Sequence, residues 1–412
     1  MNVKIIPSTL RGIVNAPSSK SLSHRNVIAA ALSEGTSAIR NVTDSVDISA
    51  TVGAMTALGA KIVKNGSVLT VNGISDPEKV PAKADIDCCE SGSTLRFIIP
   101  IAAALGVESV FRGRGKLPER PITPYIREFS GKGAEFDYSG TMPFSLKGKL
   151  CGGEFDIEGD ISSQFITGLL FALPLCREDS VIRITTPLQS KPYVDITVDV
   201  LKRFGIEVNI MHIGEYPAYL IHGGQRYKPA DVTVEGDYSQ AAFFLAANAL
   251  GSVITVNNLN SSSNQGDREI ERIISRCGPS MKAFNADVGN IPDLVPILAV
   301  MGCFTDGVSK ITNAARLRIK ECDRLDAVCN ALNAIGGVVE QDEESLTIYP
   351  IKHFSGGIVD ACNDHRIVMA AAIAATRSVS PVTIMGCEAV NKSYPSFFED
   401  YKKLGGEVIF TE

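Results

Sequence analysis

The alternation of apolar and polar positions divides the chain into segments that recur, and two series of them interleave along its 412 residues. In the first, a helix-like pattern runs into a glycine and then into a β-rich stretch: "MTALGAKIV", "FSGKGAEFD", "LKRFGIEVN", "ISRCGPSMK", "LNAIGGVVE" and "YKKLGGEVI". The glycines are Gly59, Gly133, Gly205, Gly278, Gly336 and Gly405, at intervals of 74, 72, 73, 58 and 69 residues. One glycine past a helix is an ordinary left-handed stop. Six at near-even spacing indicate a repeat. In the second series a short polar stretch opens an almost wholly apolar helical run: "SSKSLSHRNVIAAAL", "ESGSTLRFIIPIAAAL", "GDISSQFITGLLFALPL", "GDYSQAAFFLAANAL", "NIPDLVPILAVMG" and "NDHRIVMAAAIAAT". Helices apolar on all sides are buried ones. Each unit is therefore predicted to hold one buried helix with a polar N-terminus, one amphipathic helix ending at glycine, and several strands. The two most alike copies, "IEGDISSQF" and "VEGDYSQAAF", lie 77 residues apart and share Glu-Gly-Asp.

Six such units with their sheets turned outward bring helix N-termini together, and their free N–H groups and positive dipole ends make an anion site. The Gly/Pro-rich, polar stretch "GGQRYKPAD", Gly223 to Asp231, reads as a linker before a second half that begins near Val234. Length alone predicts two or three domains. The fold class is α/β (α+β).

Composition narrows the partners. A net charge of -6, no Lys/Arg blocks and no tryptophan argue against a nucleic-acid surface. A locally positive cleft is still compatible with an acidic exterior. The opening "MNVKIIPSTLRGIV" has no long apolar core and breaks at Pro7, and no apolar run reaches the roughly 18 residues of a membrane helix, so a cytoplasmic protein is expected. The ten cysteines form no C-x-x-C, which suits reduced, mostly buried thiols, and the five histidines show no ligand spacing, so no metal is expected.

The polar helix starts and nearby loops gather the candidate chemistry. "APSSKSLSHR" sets a lysine and an arginine among four serines, yet no G-x-x-x-x-G-K-[ST] run surrounds Lys20 and no G-x-G-x-x-G follows an early strand. Lys20, Arg25, Arg96, Arg120, Lys320, Arg324, Arg366 and Lys392 sit beside Ser, Thr, Gln, Asn or Gly, while Asp293, Glu321 and His365 add titratable groups. Taken singly, each has a plainer reading. "RIKECDRL" suits a solvated helix start, "NDHR" an Asx-type cap, "LPERPI" a proline-stiffened turn, and Asp293 an acid favoured by a helix dipole.

In order along nearly the whole chain, "SSKSLSHR", "ESGSTLR", "LPERPI", "ISSQF", "SKPYVDIT", "EGDYSQAA", "NQGD", "IPDLVP", "RIKECDRL", "NDHRIVMA" and "NKSYPSFF" are similar to motifs of the enolpyruvyl transferase family, in the branch whose acceptor is shikimate 3-phosphate. The resemblance implies a two-domain inside-out α/β barrel, each domain three repeats of a β/α unit with buried helices surrounded by sheets. One domain would be discontinuous, 1–18 plus 235–412, the other 19–234, with the active site in the cleft between them. The implied reaction joins phosphoenolpyruvate to the 5-hydroxyl of shikimate 3-phosphate through a tetrahedral intermediate and releases phosphate, with no cofactor and in a monomer. Carried over by motif, Lys20, Ser21, Arg25, Ser162, Ser163, Gln164, Ser190, Tyr193, Asp293 and Lys320 resemble the shikimate 3-phosphate site. Lys20, Gly92, Arg120, Gln164, Arg324, Arg366 and Lys392 resemble the phosphoenolpyruvate site. The catalytic set is Asp293, Glu321, Lys20, Lys392 and His365, with Asp293 as base and Glu321 handling the proton at the methylene carbon.

Two departures stand out. Many relatives read Asn-Ala-Gly-Thr and then Arg-Pro where this chain has Glu90, Ser91, Gly92, Ser93 and then Arg96-Phe97, and others have Asn where Arg316 stands. The sister enzyme acting on UDP-N-acetylglucosamine usually has asparagine after the first-loop lysine and a cysteine in its mobile loop. Here Ser21 follows Lys20, and "GRGKLPERPI" has no cysteine. A non-catalytic anion-binding relative would keep the cations and lose the acid and base groups, whereas Asp293, Glu321 and Lys392 are all present.

Overall fold

The computed structural model describes residues 1–74 and 80–411. Among the described residues twelve α-helices alternate with short strands, and each repeat contributes two helices. The first of each pair are α1 (Lys20–Ala31), α3 (Gly92–Leu105), α5 (Ser163–Ala172), α7 (Tyr238–Ala249), α9 (Val295–Gly302) and α11 (His365–Ala375). The second are α2 (Val46–Ala57), α4 (Thr123–Phe129), α6 (Lys191–Arg203), α8 (Glu269–Cys277), α10 (Arg324–Ala334) and α12 (Phe397–Lys403). The first series is buried nearly all round, with every residue of α9 and α11 out of solvent. That is the expected fate of helices lacking a polar face. No described helix is long and apolar enough to cross a membrane.

All six repeat glycines follow the second helix of a pair, and each has φ between 61° and 110°. A side chain there would force a strained left-handed backbone, so glycine lets the chain reverse into the next strand.

The chain divides into two compact units, Met1–Ser19 with Glu235–Glu412, and Lys20–Val234. The two strands of chain that enter and leave the first unit are zipped antiparallel by an isolated bridge between Ser18 and Gly236, with Ser19 N–H donating to Glu235 O at 2.8 Å. In the Lys20–Val234 unit, three four-stranded sheets share one plan. Their orders are 232–233/36–40/68–72/61–65, 83–87/108–112/144–148/134–137 and 154–157/180–184/216–221/208–213. The first two strands of each are parallel and the rest antiparallel. A continuous core from Val27 to Val234 fills the space between sheets and helices.

The other unit follows the same plan twice, in 285–287/309–312/346–349/338–341 and 357–360/382–385/2–6/407–411. Its remaining sheet has only two parallel strands, 11–15 and 253–257. After Gly278 the chain goes straight to strand 285–287, so the antiparallel strand pair that completes each of the other sheets, a hairpin in four of them and 2–6 with 407–411 in the fifth, is missing here among the described residues. The 58-residue interval, the shortest of the five, falls here. The Asn248 side chain stands in at the bare edge, donating to Ile254 O and accepting from Ile254 N–H, both at 2.7 Å. An amide side chain that satisfies both backbone groups removes the cost of leaving them unpaired.

The stretch 223–231 is not a free linker. Tyr227 is buried, its hydroxyl donates to Phe171 O at 2.7 Å, and Lys228 N–H donates to Phe204 O at 2.8 Å. An aromatic side chain in a polar, Gly/Pro-rich run anchors this segment to the Lys20–Val234 unit.

Candidate active site

In the Lys20–Val234 unit the polar starts of five helices are tied into one network. Lys20 opens α1 and pairs with Asp47 of α2 at 3.0 Å. One turn on, Arg25 donates from Nε to Thr197 Oγ1 at 2.8 Å, from Nη1 to Ser21 O at 2.7 Å, and from Nη2 to Tyr193 O at 2.9 Å. Those bonds tie α1 to the start of α6, where Ser190 takes a left-handed conformation as the residue before the helix. Thr197 also lies 3.1 Å from Thr167 of α5. Ser162 caps α5 by accepting from Gln164 N–H, and Ser163 is buried beside it. Gln164 in turn donates to Ser93 Oγ of α3 and accepts from Arg96 Nη1 at 2.8 Å. Lys20, Ser21, Arg25, Gly92, Ser162, Ser163, Gln164, Ser190 and Tyr193 thus lie on the helix starts that these bonds join.

The charge here is poorly compensated. Arg25 is buried, and no carboxylate lies within ion-pair distance of it among the described residues. Burial draws its guanidinium down to about 9, still charged at neutral pH, so an arriving anion relieves a standing cost. Arg120 follows the 3-10 turn Leu117–Glu119, the stiff turn expected of "LPERPI", and its side chain makes no hydrogen bond or ion pair with any described residue. Gly92, at the start of α3, packs directly on it: a Cβ there would come within 2.6 Å of Arg120 Cζ.

In the other unit the arrangement is the reverse, with cations and carboxylates interleaved. Arg324, at the start of α10 and 1% exposed, donates from Nε to Asp364 at 2.8 Å, from Nη1 to Asp293 at 3.0 Å, and from Nη2 to Glu321 at 2.6 Å. Asp293 sits in the 3-10 turn Pro292–Leu294 leading into α9, and its second oxygen meets Arg366 Nη2 at 2.6 Å. Arg366 also donates to Ser239 Oγ of α7 at 2.5 Å. Lys392 Nζ donates to Asn363 O at 2.7 Å, and the buried His365 ring lies 3.8 Å from Asp364. Asp293, Lys320, Glu321, Arg324, His365, Arg366 and Lys392 form this second cluster.

Burial alone would raise the Asp293 carboxyl, but Arg366, Lys320 and Arg324 together hold it well below the usual carboxylate range. Burial pushes Lys320 down to about 8, against the pull of Asp293 and with help from Arg316 and Arg324. For Arg324 burial is outweighed by Asp364, Glu321 and Asp293, which keep it firmly charged.

Several residues that motif reasoning passed over hold these clusters in place. Asp364 does cap α11, accepting from Arg366 N–H at 2.9 Å, and its other oxygen grips Arg324, so the Asx-cap reading of "NDHR" is half of its role. Asp47, Thr197 and Ser239 carry no signal of their own in the sequence, since each is an ordinary helical polar residue until its partner is known. No group of three or more metal-ligating side chains is present among the described residues.

The sequence profile of EPSP synthase (3-phosphoshikimate 1-carboxyvinyltransferase) matches residues 5–401. The chain belongs to the EPSP synthase family. It is 45% identical to the 3-phosphoshikimate 1-carboxyvinyltransferase of Clostridium novyi over 98% of each chain. It is also 45% identical to that of Clostridium beijerinckii, over 100% of this chain and 98% of the relative. In structure it is similar to EPSP synthase from Acinetobacter baumannii, with a TM-score of 0.83 at 24% identity, covering 99% of this chain and 100% of that one. The inside-out EPSP synthase architecture, with helices within and sheets without, agrees with the six-unit repeat.

Proposed function

We propose that the chain transfers the enolpyruvyl group of phosphoenolpyruvate to the 5-hydroxyl of shikimate 3-phosphate and releases phosphate. The family membership and the full-length relatives support this reading. The observation that carries the chemistry is Arg324, which holds two carboxylates suited to proton transfer, Asp293 and Glu321, beside Arg366.

Lys20, Ser21, Arg25, Ser162, Ser163, Gln164, Ser190 and Tyr193 hold shikimate 3-phosphate, the cations on its phosphate and the hydroxyls on its ring. Arg120, Arg324, Arg366 and Lys392 hold the phosphate and carboxylate of phosphoenolpyruvate, with Lys20 and Gln164 reaching it too and Gly92 admitting it against the backbone. Asp293, beside Lys320, accepts the proton of the 5-hydroxyl as that oxygen bonds to C2 of phosphoenolpyruvate. Glu321 delivers a proton to C3, turning the methylene into a methyl group and giving a tetrahedral ketal. The reverse movement of the C3 proton then restores the double bond as the C2–O bond to phosphate breaks. Lys392 and His365 flank this exchange.

Asp293 in the ligand-free state is too acidic to be an effective base, because a base works best with a pKa near the operating pH. Phosphoenolpyruvate brings its own negative charge to Arg324 and Arg366. Sharing the two arginines raises Asp293 toward a useful value only when the donor is bound, which ties base strength to substrate occupancy.

Phosphate release from phosphoenolpyruvate tests the proposal, with shikimate 3-phosphate or UDP-N-acetylglucosamine as acceptor. Release with shikimate 3-phosphate alone is expected. Release with the sugar nucleotide alone would move the chain to the sister activity, and tight ligand binding without release under either condition would leave an anion-binding protein.

A further inference from the structure

A chain of buried hydroxyls runs across the Lys20–Val234 unit without touching any of the proposed ligand-binding side chains. His24, on α1 one turn after Lys20, is 1% exposed, and its Nδ1 lies 2.7 Å from Thr51 Oγ1 of α2. Thr51 Oγ1 lies 2.7 Å from Thr94 Oγ1 of α3, and Thr94 Oγ1 donates to Ser91 Oγ at 2.9 Å. All three hydroxyl residues are 1% exposed or less. Ser91 is the N-cap of α3, accepting from Thr94 N–H at 3.1 Å, and the residue after it is Gly92, packed on Arg120.

Burial first, then Lys20 and Arg25, hold the His24 imidazole well below its ordinary pKa, so it is neutral and carries one ring proton. His24 Nε2 has no hydrogen-bond partner among the described residues. A proton on Nε2 would be a buried donor with no acceptor, whereas a proton on Nδ1 starts a run of donors that all point toward Ser91. The neutral ring with Nδ1–H donating to Thr51, Thr51 to Thr94 and Thr94 to Ser91 leaves the ring lone pair and the hydroxyl proton of the terminal Ser91 without a partner among the described residues.

We propose that His24 is a positioning residue whose hydrogen-bond chain through Thr51 and Thr94 to Ser91 sets the phosphoenolpyruvate cradle, Gly92 and Arg120, at a fixed distance from the helix that carries Lys20. This rests on the assignment of Gly92, Arg120 and Lys20 to the donor substrate. The chain links three helices with three short bonds, and its far end is the cap that fixes where Gly92 meets the guanidinium. A cap that drifts by a few tenths of an ångström carries Gly92 and Arg120 with it. The shikimate 3-phosphate side chains on α5 and α6 stand outside the chain.

Steady-state kinetics on the full-length protein tests this with His24→Leu, which fills the space without donating, and His24→Asn, whose side-chain amide can donate from nearly the place of Nδ1. Wild-type turnover with shikimate 3-phosphate is measured first, since its absence would overturn the functional reading rather than the chain. Given turnover, His24→Leu is expected to raise KM for phosphoenolpyruvate about tenfold and to leave KM for shikimate 3-phosphate within about twofold, while His24→Asn restores both. Thr94→Val should reproduce the split, and adding it to His24→Leu should cost little more, because both cut the same chain. The proposal is overturned if both KM values stay within twofold in His24→Leu, if they rise together, or if His24→Asn behaves like His24→Leu. If His24→Leu does not fold, Thr94→Val against Thr94→Ser decides by the same split.

Discussion

The two clusters both gather lysines and arginines and handle their charge in opposite ways. In the Lys20–Val234 unit, Arg25 is buried against a threonine hydroxyl and two backbone carbonyls, and the Arg120 side chain has no described hydrogen-bond or ion-pair partner. In the other unit Arg324 meets three carboxylates and Arg366 one. A cation solvated by neutral dipoles keeps its charge available for a ligand, whereas a cation matched by carboxylates sets the proton affinity of those carboxylates. The first arrangement suits holding anions, and the second suits moving protons. Lys20, paired with Asp47, is the exception on its side, and it is also the residue expected to serve both substrates.

The largest effect should come from the proton-moving side. Asp293→Asn or Glu321→Gln keeps shape and removes the proton acceptor, and phosphate release should fall by about 10²- to 10⁴-fold, the usual range for a general acid or base. A loss under tenfold would erase the contrast between the clusters. Next comes Asp364→Ala, which leaves Arg324 Nε buried with nothing to accept its proton. Stripping one partner from a buried ion pair costs about 3–5 kcal/mol, read as a lower midpoint in denaturant, and Asp364→Asn should recover part of it.

Gly92→Ala probes the other side. Its Cβ would overlap the Arg120 guanidinium, so Arg120 must swing away, and KM for phosphoenolpyruvate should rise about 10- to 100-fold, the value of one or two charge-assisted hydrogen bonds. Shikimate 3-phosphate should bind as before. The smallest effect is in pH. Lys320 sheds its proton near 8 because burial disfavours the charge, so affinity for the anionic acceptor should be flat below that pH and decline above it as the positive form is lost. Asp293, Glu321, Arg316 and Arg324 surround it, and its carboxylate neighbours hold Arg324 charged throughout that window. Lys320→Arg should extend the plateau upward.

The repeat was legible because its devices are local. Glycine after a helix and an apolar run after a polar start leave a mark within a few residues, and all six glycines do adopt positive φ. The 58-residue interval also held information, since it marks the repeat whose hairpin is absent and whose strand edge Asn248 covers. What the sequence did not reveal is pairing across the fold. Asp47 with Lys20, Thr197 with Arg25 and Ser239 with Arg366 join residues separated by 27, 172 and 127 positions, and nothing in either neighbourhood names the other. Tyr227 was misleading for a related reason, because a polar, proline-containing run looks detached until the pocket that takes its one aromatic side chain is seen.

Calorimetric titration of shikimate 3-phosphate into the wild-type protein, Arg25→Ala and Glu321→Gln tests the division of labour most directly. Arg25→Ala should weaken binding by at least about tenfold, while Glu321→Gln, inactive in phosphate release, should bind within about twofold of wild type. Equal loss of binding in both variants would contradict the account, because Glu321 would then belong to the machinery that holds the anion rather than to the chemistry performed on it.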